Sequence, residues 1–353
     1  MPAFSSRKTF KLPRGREVSI SVETEIERGG SERLPARVKR LGARLLDRGR
    51  RLAGSRLPSG AGSAEGGLRP EKMIWIFGSG RSGSTWLRSM MSELPEHRVW
   101  EEPMVGLLFG RFYSRAQTGQ LGSANFIMSN PTRKGWMRSV RNFTLDGARY
   151  AHPRLRPENY LVIKEPNGSV GAPLLMEALP ESRMVLLVRD PRDVVASVLD
   201  ATRNGGWLYT QKSSGAWKEN SVADKDPDGF VRMRAKTYLR DAGGAAQAYR
   251  EHKGPKTLVR YEDLVGDTPG TMRRIYSELG IEVDEAELAR AVEKHSWENI
   301  PQEKKGEGKF YRKGQPGSWR EDLTERQVEI VEEITAPLLE EFYPDGGASS
   351  TRR

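Results

Sequence analysis

Apolar residues gather into two kinds of run between Met73 and Tyr343, and outside those limits the pattern stops. Short aliphatic and β-branched runs predict strands over 73–77, 160–163, 184–188 and 257–260. Longer stretches with apolar positions three and four apart predict helices over 85–94, 191–201, 230–251, 271–279, 285–295 and 325–342. Strands alternate with helices, which predicts an α/β domain with a mostly parallel central sheet flanked by helices. The polar, glycine-containing stretch 203–228 reads as a loop or lid, and no internal repeat is present.

Upstream, Leu34, Val38, Leu41, Leu45 and Leu52 recur at helical spacing among Arg37, Lys39, Arg40, Arg44, Arg48, Arg50 and Arg51, with Gly42 and Gly49 weakening the helix. Gly, Ser, Ala and Pro dominate 54–67, the composition of a flexible linker. The expected organisation is a basic appendage with linker over 1–70, a catalytic domain over 71–345 and a disordered tail over 346–353.

Charge sharpens that division. Residues 1–72 carry 17 Lys and Arg against 8 Asp and Glu, so +9 of the formal +11 lies there. The basic character belongs to the appendage, whose 33–52 segment reads as a solvated helix or as one that touches an anionic membrane surface; nucleic acid is the weaker expectation. The absence of cysteine excludes disulfides, thiolate metal sites and Cys nucleophiles. The four histidines, His97, His152, His252 and His295, lack the short spacing of a zinc site, so no metal is expected. No apolar stretch reaches the roughly 18 residues of a membrane span. A soluble, cytoplasmic chain is the expectation, with membrane association only through 33–52.

Three segments carry candidate chemistry. The strand at 73–77 runs directly into Gly78-Ser79-Gly80-Arg81-Ser82-Gly83-Ser84-Thr85 and then into the helical Trp86-Leu87-Arg88. A strand, a glycine-rich turn and a helix N-terminus in that order gather backbone N–H groups around an anion. The nucleotide-triphosphatase loop places Lys where Ser84 stands here, and its cation is replaced by Arg81 inside the turn. That suits one phosphate and a sulfate better than a magnesium triphosphate.

The second segment runs from Val188 through Arg189, Asp190 and Pro191 to Ser197. Pro191 sits where a helix N1 proline belongs, and Arg189 ends a buried strand facing the crevice where such sheets bind ligands. Pairing with Asp193 is the alternative role for Arg189. The third segment, Arg312-Lys313-Gly314-Gln315-Pro316-Gly317-Ser318-Trp319, offers two adjacent cations for a phosphate, or reads as a solvated loop.

In order and internal spacing these segments resemble the sulfotransferases that use 3′-phosphoadenosine 5′-phosphosulfate (PAPS) and release PAP. The resemblance covers about 240 residues and implies a P-loop-like sulfotransferase fold. It implies that Arg81, Ser82, Gly83, Ser84 and Thr85 hold the 5′-phosphosulfate. Arg189, Ser197, Arg312, Lys313 and Gly314 would hold the 3′-phosphate. Tyr261-Glu262-Asp263-Leu264 and the 295–300 segment are similar to two further family segments, which would place Trp86 and Trp297 on either side of the adenine and Tyr261 at its edge. Ordinary core packing is the other reading of each Trp.

Relatives acting on small phenols carry a catalytic His just after the strand that here ends in Lys164; Pro166 or Asn167 stands in its place. Lys164 remains, and the resemblance would place it against the transferring group. A carboxylate base is the natural replacement, and Glu102 is preferred because Glu102-Pro103 is similar to the Glu-Pro of glycan-type members. Adjacent Glu101 and Glu102 are expected to point to opposite sides of an extended segment; Glu165 is the second choice and His97, read as a surface residue, the third. Through Arg81 in the loop and Glu102-Pro103, the resemblance implies a carbohydrate or glycolipid hydroxyl as acceptor, with a small alcohol, phenol or amine as the alternative. Two readings from other classes stand beside this one: a P-loop kinase or nucleotide hydrolase, and a nonenzymatic membrane or nucleic-acid binder resting on the basic 33–52 segment.

Overall fold

The computed structural model describes residues 5–11, 17–23, 67–117, 126–203, 206–208 and 223–344. The chain divides into the units Met1–Ala64 and Glu65–Arg353. In the first, Ser5–Lys11 (β1) pairs antiparallel with Glu17–Glu23 (β2), Ser5 opposite Glu23 and Lys11 opposite Glu17. The expected basic helix at 33–52, the linker up to residue 66 and the tail lie outside the described residues.

The second unit is built on five parallel strands: Met73–Gly78 (β3), His97–Glu101 (β4), Tyr160–Lys164 (β5), Arg183–Val188 (β6) and Lys256–Arg260 (β7), in the order β4-β5-β3-β6-β7. All six residues of β3 are buried, as a strand covered on both faces requires. Its pleat sends Met73, Trp75 and Phe77 into one core and Ile74 and Ile76 into the other. The four expected strands are present within one residue of their expected ends. The fifth, β4, was not expected, because the edge sequence His97-Arg98-Val99-Trp100-Glu101 has no apolar run.

The helices are Ser84–Met91 (α1), Val105–Gln117 (α2), Arg133–Ala151 (α3), Ala172–Ala178 (α4), Pro191–Thr202 (α5), Pro227–Glu251 (α6), Tyr261–Gly266 (α7), Thr268–Glu278 (α8), Glu285–Lys294 (α9), Trp319–Asp322 (α10) and Glu325–Phe342 (α11). Two of the six expected helices, α6 and α8, start three residues before their apolar periodicity does. Asp226 accepts from the Gly229 N–H and Asp267 from the Gly270 N–H, and a proline follows each cap within the first two helical positions. Within 203–228, residues 223–225 are helical and α6 begins at Pro227, so the described part of that stretch is not all loop.

The chain lays β4 and β5 on one side of β3 and β6 and β7 on the other, so the end of β3 is the topological switch point. The crevice beyond the C-terminal ends of such strands is where α/β sheets hold ligands. Helix α2 closes on it through Gly106 and Gly110: a Cβ at Gly106 would strike the Gly168 carbonyl, and one at Gly110 would lie 2.5 Å from the Gly171 Cα. These glycines, poor helix formers, hid α2 from its sequence pattern. No helix among the described residues is long and apolar enough to cross a membrane.

Candidate active site

The turn after β3 is held from below, where the Gly78 N–H donates to Ser169 Oγ at 2.9 Å. Gly83 caps α1 with φ 91°, and the Tyr261 ring stands 2.5 Å from where a Cβ would be, so no side chain fits. Beside it Ser82 Oγ is buried and has no hydrogen-bond partner among the described residues. With the free N–H groups of the first turn of α1, this makes a cradle for an anion.

Arg81, Glu102 and Met104 are the non-glycine residues with left-handed φ among the described residues, at 71°, 41° and 60°, and all three border the crevice. Such strain is characteristic of functional sites. The Arg81 side chain leaves its own loop: Nε donates to Ser197 Oγ at 3.2 Å and Nη2 to the Phe310 carbonyl at 2.8 Å, against the rings of Phe310 and Trp207. Arg81, assigned to the 5′ group, is therefore joined to a residue assigned to the 3′ group. Burial, and then the neighbouring Arg189, lower its pKa to about 10, which leaves it a cation at neutral pH.

Arg189 donates to the Arg81 carbonyl at 3.2 Å and lies 4.3 Å above the centre of the Tyr261 ring. Its ion pair with Asp193 is long, 3.8 Å, because Asp193 serves elsewhere. Fully buried Asp193 accepts from the N–H groups of Gly317 at 2.7 Å and Trp319 at 3.0 Å and from Ser318 Oγ at 3.3 Å, pinning the third segment to α5. Asp200, two turns further along α5, accepts from the Gly308 N–H. Glu262 accepts from the Asp190 N–H at 3.0 Å and from Tyr343 Oη at 2.9 Å, fixing the start of α5.

In the third segment Arg312 Nη2 donates to Ser318 Oγ at 2.8 Å and pairs with Asp322 at 2.7 Å. Lys313 pairs with Glu321 and Asp322, which hold its pKa above the ordinary lysine range. Gly314, at φ 66°, lies under the Trp297 ring, which leaves no room for a Cβ. Asp200, Arg203, Glu307, Arg312, Lys313 and Asp322 line a cavity of about 140 Å³ against Ala196 and Leu199 of α5. Trp86 donates to the His295 carbonyl at 2.7 Å and meets Tyr261 edge-on. Trp86 and Trp297 thus both belong to this corner, with Trp297 standing over Gly314 and Lys305 Nζ 5.1 Å from its ring.

On the β5 side, buried Lys164 lies 2.6 Å from both Glu101 and Glu102 and donates to Thr85 Oγ1 at 3.3 Å. The expectation that the two glutamates point apart is overturned: the left-handed φ of Glu102 breaks the strand alternation and turns both carboxylates toward Lys164. Arg88 takes the other oxygen of Glu101 at 3.0 Å. Asn167 Nδ2 donates to the other oxygen of Glu102 at 2.9 Å, a role that its place in the sequence does not announce.

The two reserve bases are differently placed. Glu165 is fully buried, and its oxygens accept from the N–H groups of Met104 at 2.9 Å and Gly106 at 3.1 Å. Burial pushes its pKa up to about 7, against the pull of those N–H groups, and its carboxyl holds the entry of α2. His97 is not a surface residue. It is buried between Tyr160 and Tyr276 at the start of β4, the end of the strand opposite the crevice, and burial lowers its pKa to about 4.

Residues 74–285 match the family model described as "Sulfotransferase family". The omega-hydroxy-beta-dihydromenaquinone-9 sulfotransferases Stf3 of Mycobacterium bovis and Mycobacterium tuberculosis are 28% identical over 137 residues, a match covering 38% of this chain and 32% of theirs. Among solved structures, sulfotransferase STF9 from Mycobacterium avium is similar with a TM-score of 0.49 and 16% identity, covering 86% of this chain and 81% of that one. Mouse sulfotransferase SULT7A1 complexed with PAP gives 0.45 and 14%, covering 79% and 87%.

Proposed function

The chain belongs to the sulfotransferase family, and we propose that it moves a sulfuryl group from PAPS to an acceptor hydroxyl of a carbohydrate or glycolipid, with Glu102 as base. The observation that carries this reading is the bond from Arg81 to Ser197: one guanidinium ties the strand–turn–helix loop to the helix that follows β6, and Asp193 of that helix ties in the third segment. Three segments far apart in sequence thereby form one anion-binding corner.

In the proposed complex the cradle of Ser82, Gly83, Ser84 and Thr85 holds the 5′-phosphosulfate. Arg189, Ser197, Arg312, Lys313 and Gly314 hold the 3′-phosphate, and Trp86, Tyr261 and Trp297 border the adenine. The unpartnered Ser82 hydroxyl and the bare Gly83 backbone suit such a ligand. The acceptor oxygen attacks sulfur, the bond from sulfur to the 5′-phosphate oxygen breaks, and the acceptor proton passes to Glu102. PAP leaves, its growing charge offset by Arg81 and Lys164, in a reaction governed by positioning and electrostatics. Glu102 is favoured over Glu165 because its carboxylate is partly exposed beside Lys164 and the cradle, whereas Glu165 is fully buried and holds the entry of α2.

The mycobacterial relatives are named for an omega-hydroxylated menaquinone derivative, which supports a lipid-borne hydroxyl, though not a sugar one. Incubation with sulfur-labelled PAPS and a panel of glycans, glycolipids, hydroxylated lipids and phenols tests the reading. Label in none of them, with PAP bound, would remove it.

A further inference from the structure

The carboxylate of Glu102 has two points of attachment. One oxygen lies 2.6 Å from Lys164 Nζ, and the other accepts from Asn167 Nδ2 at 2.9 Å. A carboxylate only accepts hydrogen bonds, so the Asn167 amide must turn its nitrogen this way. Its oxygen then faces the loop after β3, 3.3 Å from where a Cβ on Gly80 would stand. Asn167 therefore spans the gap between the proposed base and the loop assigned to the donor.

Lys164 cannot fix that carboxylate alone. Its ammonium is a point charge shared with Glu101 at 2.6 Å and Thr85 Oγ1 at 3.3 Å, and a single contact leaves the carboxylate plane free to turn about it. A second donor on the other oxygen fixes the plane, and a lone pair on each oxygen stays open for an acceptor proton.

The Asn167 side chain is exposed, yet its backbone is held. It follows Pro166 in the 3-10 turn Pro166–Gly171, where the Gly168 N–H donates to the Glu165 carbonyl at 3.1 Å. Gly168 packs so closely on α2 that a Cβ on Gly106 would strike its carbonyl. Two residues beyond Asn167, Ser169 Oγ takes the Gly78 N–H at 2.9 Å. The same turn thus anchors the start of the donor loop, and the amide it presents to Glu102 stands on a rigid support.

We infer that Asn167 is a positioning residue, whose amide N–H sets the orientation of the Glu102 carboxylate toward the acceptor oxygen. This rests on the sulfuryl-transfer reading with Glu102 as base, and adds to it the group that aims the base.

The test uses the full chain and the acceptor in the panel that takes label from PAPS most readily. Asn167→Ala should lower kcat about ten- to hundred-fold, the cost of a misaimed catalytic group, with KM nearly unchanged. Asn167→Asp keeps the shape but replaces the donor by a like charge, so it should lose at least as much, whereas a side chain that only filled space would be replaced without loss. PAP affinity, measured by calorimetry, should hold in both. In a Glu102→Gln background either substitution should cost little more, because no base is left to aim. Wild-type turnover by Asn167→Asp, or the same fold-loss in both backgrounds, overturns the inference and leaves Glu102 as base. Wild-type turnover by Glu102→Gln removes the base and the inference with it. A second measurement needs no acceptor. The side-chain amide NMR signal of Asn167, assigned by its loss in Asn167→Asp, should move in Glu102→Gln and far less in Glu101→Gln. A signal indifferent to Glu102 overturns the inference whatever the panel shows. A signal that moves while no compound in the panel is labelled removes the transfer reading and keeps Asn167 as the group that orients Glu102.

Discussion

Asp322 holds the Arg312 guanidinium at 2.7 Å, and Arg312 is one of the two cations of the third segment assigned to the nucleotide 3′-phosphate. The carboxylate occupies the charge that a phosphate would use, so binding requires the phosphate to outcompete or share it. Asp322→Asn should therefore tighten PAP about ten-fold, about 1.4 kcal/mol. It should leave adenosine 5′-phosphosulfate, which lacks the 3′-phosphate, nearly unchanged. Calorimetric titration of both ligands checks this, and a weaker PAP complex would mean that Asp322 orients Arg312 rather than competing for it.

Arg189→Ala should weaken PAP far more than adenosine 5′-phosphosulfate, because its cation is placed with Arg81 and Ser197 at the corner assigned to the 3′-phosphate. Equal losses for both ligands would remove that assignment.

Glu102→Gln keeps the shape and the hydrogen bond from Asn167 while removing the proton acceptor. Turnover should fall by about 10² to 10⁴, with PAP affinity unchanged. The neighbouring Glu101→Gln, whose carboxylate is shared with Arg88, should cost much less. A Glu102→Gln enzyme within about three-fold of wild type would lie well below the general-base scale and would transfer that role elsewhere.

Glu165 gives the fold a pH dependence of definite sign. Its folded pKa of about 7 exceeds the ordinary glutamate value, so between about pH 5 and 7 the folded chain holds a proton that the unfolded chain has released. Stability from this group is present at low pH and is lost as pH rises through about 7, by at most about 4 kcal/mol. Glu165→Gln should flatten the fall of the melting temperature between pH 5 and 8. An unchanged slope would assign it to other groups.

Gly83→Ala should be costly twice over. The left-handed φ strains any Cβ, about 1 to 3 kcal/mol, and the added methyl meets the Tyr261 ring. Thermal unfolding and PAP titration should both report a loss, whereas Gly266→Ala, which meets open space, should change neither appreciably.

What was legible in the sequence was what the backbone itself dictates. The Gly83 cap, Pro191 at the head of α5 and the continuous apolar run of β3 each write a local constraint into residue type. Helix α2 was hidden because Gly106 and Gly110 answer a packing demand from 168–171 rather than a helical one. Strand β4 was hidden because an edge strand can be charged and partly exposed. The joint approach of Glu101 and Glu102 to Lys164 depends on one left-handed residue, which no alternation rule anticipates. The sequence offers Asp193 only as a partner for Arg189 and does not single out Asp322, since the groups that give Asp193 its role lie more than 120 positions away.

That separation sets an order of events during synthesis. Asp193 emerges from the ribosome well before Gly317, Ser318 and Trp319, the groups that will satisfy it. Until they arrive, α5 can bury this carboxylate against nothing closer than Arg189 at 3.8 Å, at a cost of several kcal/mol. A nascent chain halted before residue 317 therefore has reason to keep α5 solvated and the corner between α5 and the third segment unmade, so that the closing of this part of the fold falls to a few C-terminal residues.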